Sequence, residues 1–181
     1  IVLLNIEFSK KFKLFTVFFQ VSHKQWSLPL TSHNRSRRAG LYYDKQYSKK
    51  FDNRVKNIYL PKVNFLQQVI KKKIKLIDIG SGGGHFLKAL EHKKIEAKGY
   101  EVSKFLVDFG NSKLKKNSLI KVSVQEAYRL MQNDKESNVV SLIGVMEHLE
   151  KPNDFIKSFL KSSVEYLYIA VPLFSLTAFL E

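Results

Sequence analysis

Three short stretches carry residues whose types and spacing can do chemistry. The first is Leu76-Ile77-Asp78-Ile79-Gly80-Ser81-Gly82-Gly83-Gly84-His85-Phe86, an apolar run ending in an acid and then a glycine-rich loop. Glycine permits the positive φ of a tight turn and lets a ligand reach the backbone with no Cβ in the way. A helix starting near His85 would aim its free amides at polar or anionic groups in that loop. A ligand-free glycine turn is the plainer alternative, and the strand-loop-helix setting argues against it. The second is Gly99-Tyr100-Glu101-Val102-Ser103, in which Glu101 lies 21 positions beyond Gly80. A carboxylate at a strand end can accept two hydrogen bonds from the cis hydroxyls of a ribose. The third is the pair Glu147 and His148, just after the apolar run Val139–Val145. A histidine, with an unperturbed pKa of about 6.5, can take a proton from a reacting group. His148 can equally bond backbone or shape a loop wall, and Glu147 can hold a water or be the N-terminal acid of a short helix.

These residues need a frame. Apolar runs at Leu76–Ile79, Ala97–Tyr100, Leu119–Val124, Val139–Val145 and Tyr166–Val171 alternate with helical stretches at His85–His92, Lys104–Leu114, Ala127–Met131 and Asp154–Leu160. Strands separated by helices predict βαβ units, and hence an α/β fold: a Rossmann-like, doubly wound, mostly parallel sheet with helices on both faces. Ligands then sit beyond the carboxyl ends of the strands, where strand order reverses. Ser103 is placed to cap the helix that follows it.

The loop is not a dinucleotide fingerprint, because the last glycine of GxGxxG would fall on His85. A P-loop would require Gly-Lys-Ser/Thr at its end, and that is absent. The spacing that remains is acid-x-Gly-x-Gly-x-Gly, at Asp78, Gly80, Gly82 and Gly84. It resembles motif I of the class I S-adenosylmethionine-dependent methyltransferases. Glu101 falls where that family keeps its ribose acid, and Glu147-His148-Leu149 followed by Pro152 is similar to the loop after its fourth strand. The resemblance extends from Leu76 to about Phe174. It implies S-adenosylmethionine as cofactor, held by Asp78, Gly80, Ser81, Gly82, Gly84 and Glu101, with Gln125 and Glu126 near the adenine amino group. It also implies Glu147 and His148 beside the reacting centre, with Glu147 able to face the sulfonium. Asn138 stands where an acid is common in the family. Tyr42, Tyr43, Asp44, Lys45, Gln46 and Tyr47 resemble a tyrosine-rich helix that closes over the cofactor in some members, although core packing accounts for those tyrosines as well. The Glu-His form is frequent in branches that modify small molecules, sugars and glycan precursors, so such an acceptor is expected. No Asn/Asp-Pro-Pro-Tyr/Phe follows the fourth run, so the usual amino-methylating nucleic-acid signature is missing.

Composition sets further bounds. The 181 residues include 31 Lys and Arg against 16 Asp and Glu, a formal net charge of +15. Residues 1–75 carry 17 of those bases and 3 of the acids, so the basicity belongs almost wholly to the first segment. Its interleaved tyrosines and phenylalanines suit phosphate attraction and base stacking, and this keeps a second hypothesis alive: a basic nucleic-acid-binding or RNA-modifying protein using the other half as scaffold. Cysteine is absent, which closes disulfides, Cys-ligated zinc, iron–sulfur clusters and the covalent route to cytosine C5. No metal site is expected, and a reducing, cytoplasmic setting is. The greasy start is interrupted by Glu7, Lys10, Lys11 and Lys13, so it lacks the roughly 20 apolar residues of a membrane span. Phe8, Phe12, Phe15 and Phe19 recur at helical spacing and predict an amphipathic helix, whose flanking lysines leave weak contact with a membrane surface open. Residues 22–40 read as loop, and 41–70 as two helical stretches broken near Pro61. The expected organisation is a basic helical and loop extension at 1–75, a candidate lid, and a cofactor-binding domain at 76–181. Only five strands of the family's seven are placed before Glu181. The chain therefore reads as a fragment whose Tyr166–Val171 strand is an open edge, with Leu173, Phe174, Leu176, Phe179 and Leu180 lacking a partner surface and catalytic competence in doubt.

Overall fold

The computed structural model describes residues 2–9, 12–19 and 48–172. The loop expected at 22–40, the tyrosine-rich Tyr42–Tyr47 stretch and the apolar tail from Leu173 onward lie outside the described residues.

Seven strands form one sheet: β1 (Val2–Ser9), β2 (Phe12–Phe19), β3 (Lys75–Ile79), β4 (Glu96–Glu101), β5 (Leu119–Lys121), β6 (Val139–Ile143) and β7 (Tyr166–Pro172). Their spatial order is β1-β2-β7-β6-β3-β4-β5. The five strands from β3 onward are mutually parallel, as expected. Between them run α3 (His85–His92), α4 (Lys104–Asn111), α5 (Val124–Asn133) and α6 (Pro152–Lys161), while α1 (Ser48–Arg54) and α2 (Leu60–Val69) precede β3. Alternation along each strand sorts the core into two faces. Leu76, Val139, Tyr168 and Ala170 pack under Phe51, Val55, Val63 and Leu66 of the α1–α2 region, Phe86 and Leu90 of α3 and Val107 of α4. Ile77, Ile79, Val140, Leu142 and Leu167 face Met131 of α5 and Phe155 and Phe159 of α6. Strand order reverses between β3 and β6, the position at which an open parallel sheet leaves a crevice beyond its carboxyl ends.

Four expectations are corrected. Residues 2–9 and 12–19 are strands in an antiparallel hairpin, not the helix drawn from Phe8, Phe12, Phe15 and Phe19. Dense apolar runs satisfy both the helical and the strand period, so spacing alone does not separate them. Their wealth of Val, Ile, Thr and Phe suits extended chain beside an available strand. That hairpin also fills the edge expected to be open, because β2 runs parallel to β7 with Lys13 opposite Tyr166 and Phe19 opposite Pro172. Finally, Pro61 does not break the 48–69 stretch. The chain passes from α1 through a π-helical turn, Val55–Tyr59, into α2, with Pro61 in the first turn of that helix. Proline has no amide to add to the helical ladder, and it stands just after the π-helical turn, where that ladder is already irregular. β5 is also shorter than the run Leu119–Val124, because Val124 already begins α5.

Candidate cofactor site

The site is built at the carboxyl ends of β3 and β4. β3 ends at Ile79, and the chain then turns through Gly80 at φ 72°, Gly82 at φ 53° and Gly84 at φ 77°. A side chain at Gly80 is doubly unwelcome, since its Cβ would also lie 2.5 Å from Cγ2 of Val145. The loop is tied down by its own backbone: the Gly80 amide donates to the Tyr100 carbonyl at 2.8 Å, and the Gly84 amide to that of Ser81 at 3.0 Å. Ser81 donates its hydroxyl to the Asp78 carbonyl at 2.7 Å.

Glu101 and the loop meet directly. One carboxylate oxygen of Glu101 accepts from the Gly82 amide at 2.9 Å, and the other from the Ser103 amide at 2.9 Å. The side chain is 8% exposed. A carboxylate has about four acceptor positions, so Glu101 can hold the loop and still receive ribose hydroxyls. Ser103 caps α4 as expected, its hydroxyl accepting from the Leu106 amide.

Asp78 lies beneath the loop at 2% exposure. Burial pushes its carboxyl up to about 7 and the nearby charge of Glu101 adds to this, while hydroxyl groups of Ser141 and Ser81 pull the other way. The folded value lies above the unfolded one of 3.8. The stabilisation from a neutral Asp78 is therefore complete below about 3.8 and is lost as pH rises to about 7. Asp78→Asn, which stays neutral, should gain thermal stability over the native chain across that window. The advantage should level off above it, at no more than ~4 kcal/mol. Thermal melts at pH 5 and pH 8 with an unchanged difference would contradict this.

The remaining expected site residues follow the carboxyl ends of β5 and β6 without joining the hydrogen-bonded cluster. Gln125 and Glu126 are exposed in the first turn of α5, where the Glu126 amide is capped by Ser123 at 3.2 Å. Glu147 and His148 occupy a 3₁₀ turn, Met146–His148, after Gly144 at φ 65°. His148 is exposed. Glu147 is half-buried, and its Oε2 is enclosed with no hydrogen-bond partner among the described residues.

The sequence reading missed the supports beneath the loop. A Cβ on Gly99 would lie 2.5 Å from the Ser81 hydroxyl, and one on Gly110 would lie 2.1 Å from Leu119 and 3.0 Å from the Gly83 carbonyl oxygen. Both glycines let α4 and β4 close on the loop. Neither lies in the motif, and only the contact shows why they are small. His85 was read simply as the start of a helix. It is buried, with its ring 4.3 Å from that of Phe51 and 5.5 Å from that of Tyr59. Burial, with the Arg54 charge nearby, lowers its pKa to about 3, so it is a neutral post joining the α1–π–α2 segment to the loop.

A mostly parallel sheet with a glycine loop after β3 and a carboxylate at the end of β4 defines a Rossmann-like α/β protein. A family model described as "Methyltransferase domain" matches residues 51–176, and the chain belongs to that family. S-adenosylmethionine is the cofactor that membership implies. The fold is shared with the plantazolicin methyltransferase BpumL. Its complex with a pentazolic desmethylPZN analogue and SAH is 16% identical, with a TM-score of 0.53 over 77% of this chain and 59% of that one. The complex with a triazolic analogue is 18% identical, with a TM-score of 0.51 over 75% and 56%. A SAM dependent methyltransferase from Archaeoglobus fulgidus is 22% identical, with a TM-score of 0.46 over 66% and 54%. The chain thus spans a little over half the length of these solved structures. No curated protein matches it. Among the described residues no helix is long and apolar enough to cross a membrane.

Proposed function

We propose that this chain binds S-adenosylmethionine over the Asp78–Gly84 loop and directs its methyl group to a small-molecule, sugar or glycan-precursor acceptor. The observation that carries the reading is the 2.9 Å hydrogen bond between the Gly82 amide and Glu101, which brings the motif loop and the ribose acid into one cradle. The residues suit the cofactor. A Cβ on Gly82 would meet nothing within 4 Å, so the loop faces open space where a ligand can approach its backbone. The two carboxylates, Asp78 and Glu101, match an ammonium and a pair of ribose hydroxyls.

When bound, S-adenosylmethionine supplies an electrophilic methyl group on a sulfonium. The protein's part is to hold and orient. With the cofactor bound, Asp78 would accept from the ammonium and Glu101 from the ribose, and the α5 turn at Gln125 and Glu126 would lie toward the adenine. Positioning of this kind supplies much of the rate in a direct transfer. An acceptor that must lose a proton needs a base within reach. His148, exposed beyond the carboxyl end of β6, serves either as that base or as part of the acceptor wall, and its exposure favours the wall. His148→Ala should then weaken acceptor binding and leave cofactor affinity unchanged. A fall in turnover of about 10²–10⁴ at unchanged acceptor affinity would instead make it the base.

The test is binding of labelled S-adenosylmethionine to the chain, followed by methyl transfer into fractionated extract. Steep salt-dependent affinity for RNA without cofactor binding would point instead to the nucleic-acid reading.

A further inference from the structure

Asp78, Ser141 and Tyr168 are register partners on three neighbouring strands. Asp78 lies opposite Ser141 across the β3–β6 pair, and Ser141 lies opposite Tyr168 across the β6–β7 pair. Register partners project to the same face of a sheet. This face is otherwise packed with apolar side chains from the α1–α4 region. The polar row is buried, with exposures of 2%, 0% and 0%, Asp78 keeping the small opening. Alanine or valine at 141 would fill such a core without bringing a hydroxyl into it, so packing does not account for the serine. The hydroxyl has one short partner. Ser141 Oγ donates to Asp78 Oδ1 at 2.6 Å, within the range of a bond to a charged oxygen, and lies 3.5 Å from the Ile77 carbonyl.

We propose that Ser141 is a positioning residue for the cofactor, its hydroxyl engaging one oxygen of Asp78 so that the carboxylate is held for the ammonium of the methionine moiety. The inference rests on the reading of the site given above. A hydroxyl that donates to a carboxylate favours the charged form, which is the form an ammonium pairs with. It acts against the burial of Asp78 and the neighbouring charge of Glu101, and with the Ser81 hydroxyl. Tyr168, the remaining titratable group of the row, is held neutral by burial and by the charge of Asp78. Its hydroxyl has no hydrogen-bond partner among the described residues, so Ser141 is the member of the row that engages the acid.

The experiment follows Asp78 in the 181-residue chain by NMR titration of carbon-13-labelled aspartate carboxyl groups. It is paired with calorimetry of S-adenosylhomocysteine and of methylthioadenosine, which lacks the amino-acid moiety. In Ser141→Ala the Asp78 midpoint should move up by about one pH unit from about 7, and S-adenosylhomocysteine affinity at pH 7 should fall about fivefold, as the ionised fraction drops. That loss should be recovered by about pH 9, methylthioadenosine should bind as before, and Ser141→Thr should restore the native midpoint. An unmoved midpoint in the folded variant, or an equal loss for both ligands, overturns the proposal. If Ser141→Ala does not fold, Ser141→Cys keeps the volume with a weaker donor and should show the same upward shift. A native chain that binds neither nucleoside overturns the cofactor reading itself, while the titration still decides whether Ser141 governs Asp78.

Discussion

Gly82→Val is expected to abolish detectable cofactor binding, a loss of at least about a hundredfold, while the sheet and its core remain intact. Two features of the loop drive this. Gly82 stands at φ 53°, a left-handed conformation that a β-branched residue occupies at a cost of order 1–3 kcal/mol. The space its Cβ would enter is empty of protein, so the new side chain would meet no core atom on entering. It would fill the approach to the backbone instead. The neighbouring glycine gives the contrast: Gly80→Val would drive into Val145 and damage the fold as well as the site. Calorimetry with S-adenosylhomocysteine, alongside thermal melts of both variants, separates the two effects. Native affinity in a folded Gly82→Val chain would remove the loop from the site.

Glu101→Ala should weaken every adenosine-containing ligand by roughly ten- to a hundredfold, the value of a charge-assisted contact of about 1.5–3 kcal/mol. The structure adds a second effect, because the same carboxylate holds the Gly82 and Ser103 amides. Alanine would leave both donors without that acceptor and loosen the loop, so the melting temperature should fall too, by the equivalent of about 1–3 kcal/mol. Glu101→Gln distinguishes the contributions. It keeps an acceptor oxygen for only one of the two amides, sets its NH2 against the other and loses the charge that strengthens the ribose contact, so stability should return only in part while affinity stays low. If affinity in Glu101→Ala falls less than twofold, the carboxylate serves the loop alone.

The candidate site was legible in the sequence because its parts are local. Asp78 through Gly84 form one continuous stretch, and Glu101 follows within a single βαβ unit, so their spacing survives as a readable motif. The same holds for the parallel strands from β3 to β7, whose apolar runs are separated by helical ones. The dense apolar stretches at 2–9 and 12–19 satisfied both periods, and only pairing along β7 settles them as strands. The supports of the site were invisible for a related reason. Ser141 stands 63 positions beyond Asp78, in a strand that reads as uniformly buried, and nothing in its neighbours announces an acid across the sheet. Gly99 and Gly110 are small because Ser81, Leu119 and Gly83 come up against them from other elements. Local spacing encodes turns and motifs, because the backbone answers first to its nearest residues. Strand register and close packing are decided by residues distant in sequence, and these determine which buried groups touch and which carboxylate oxygen is already engaged.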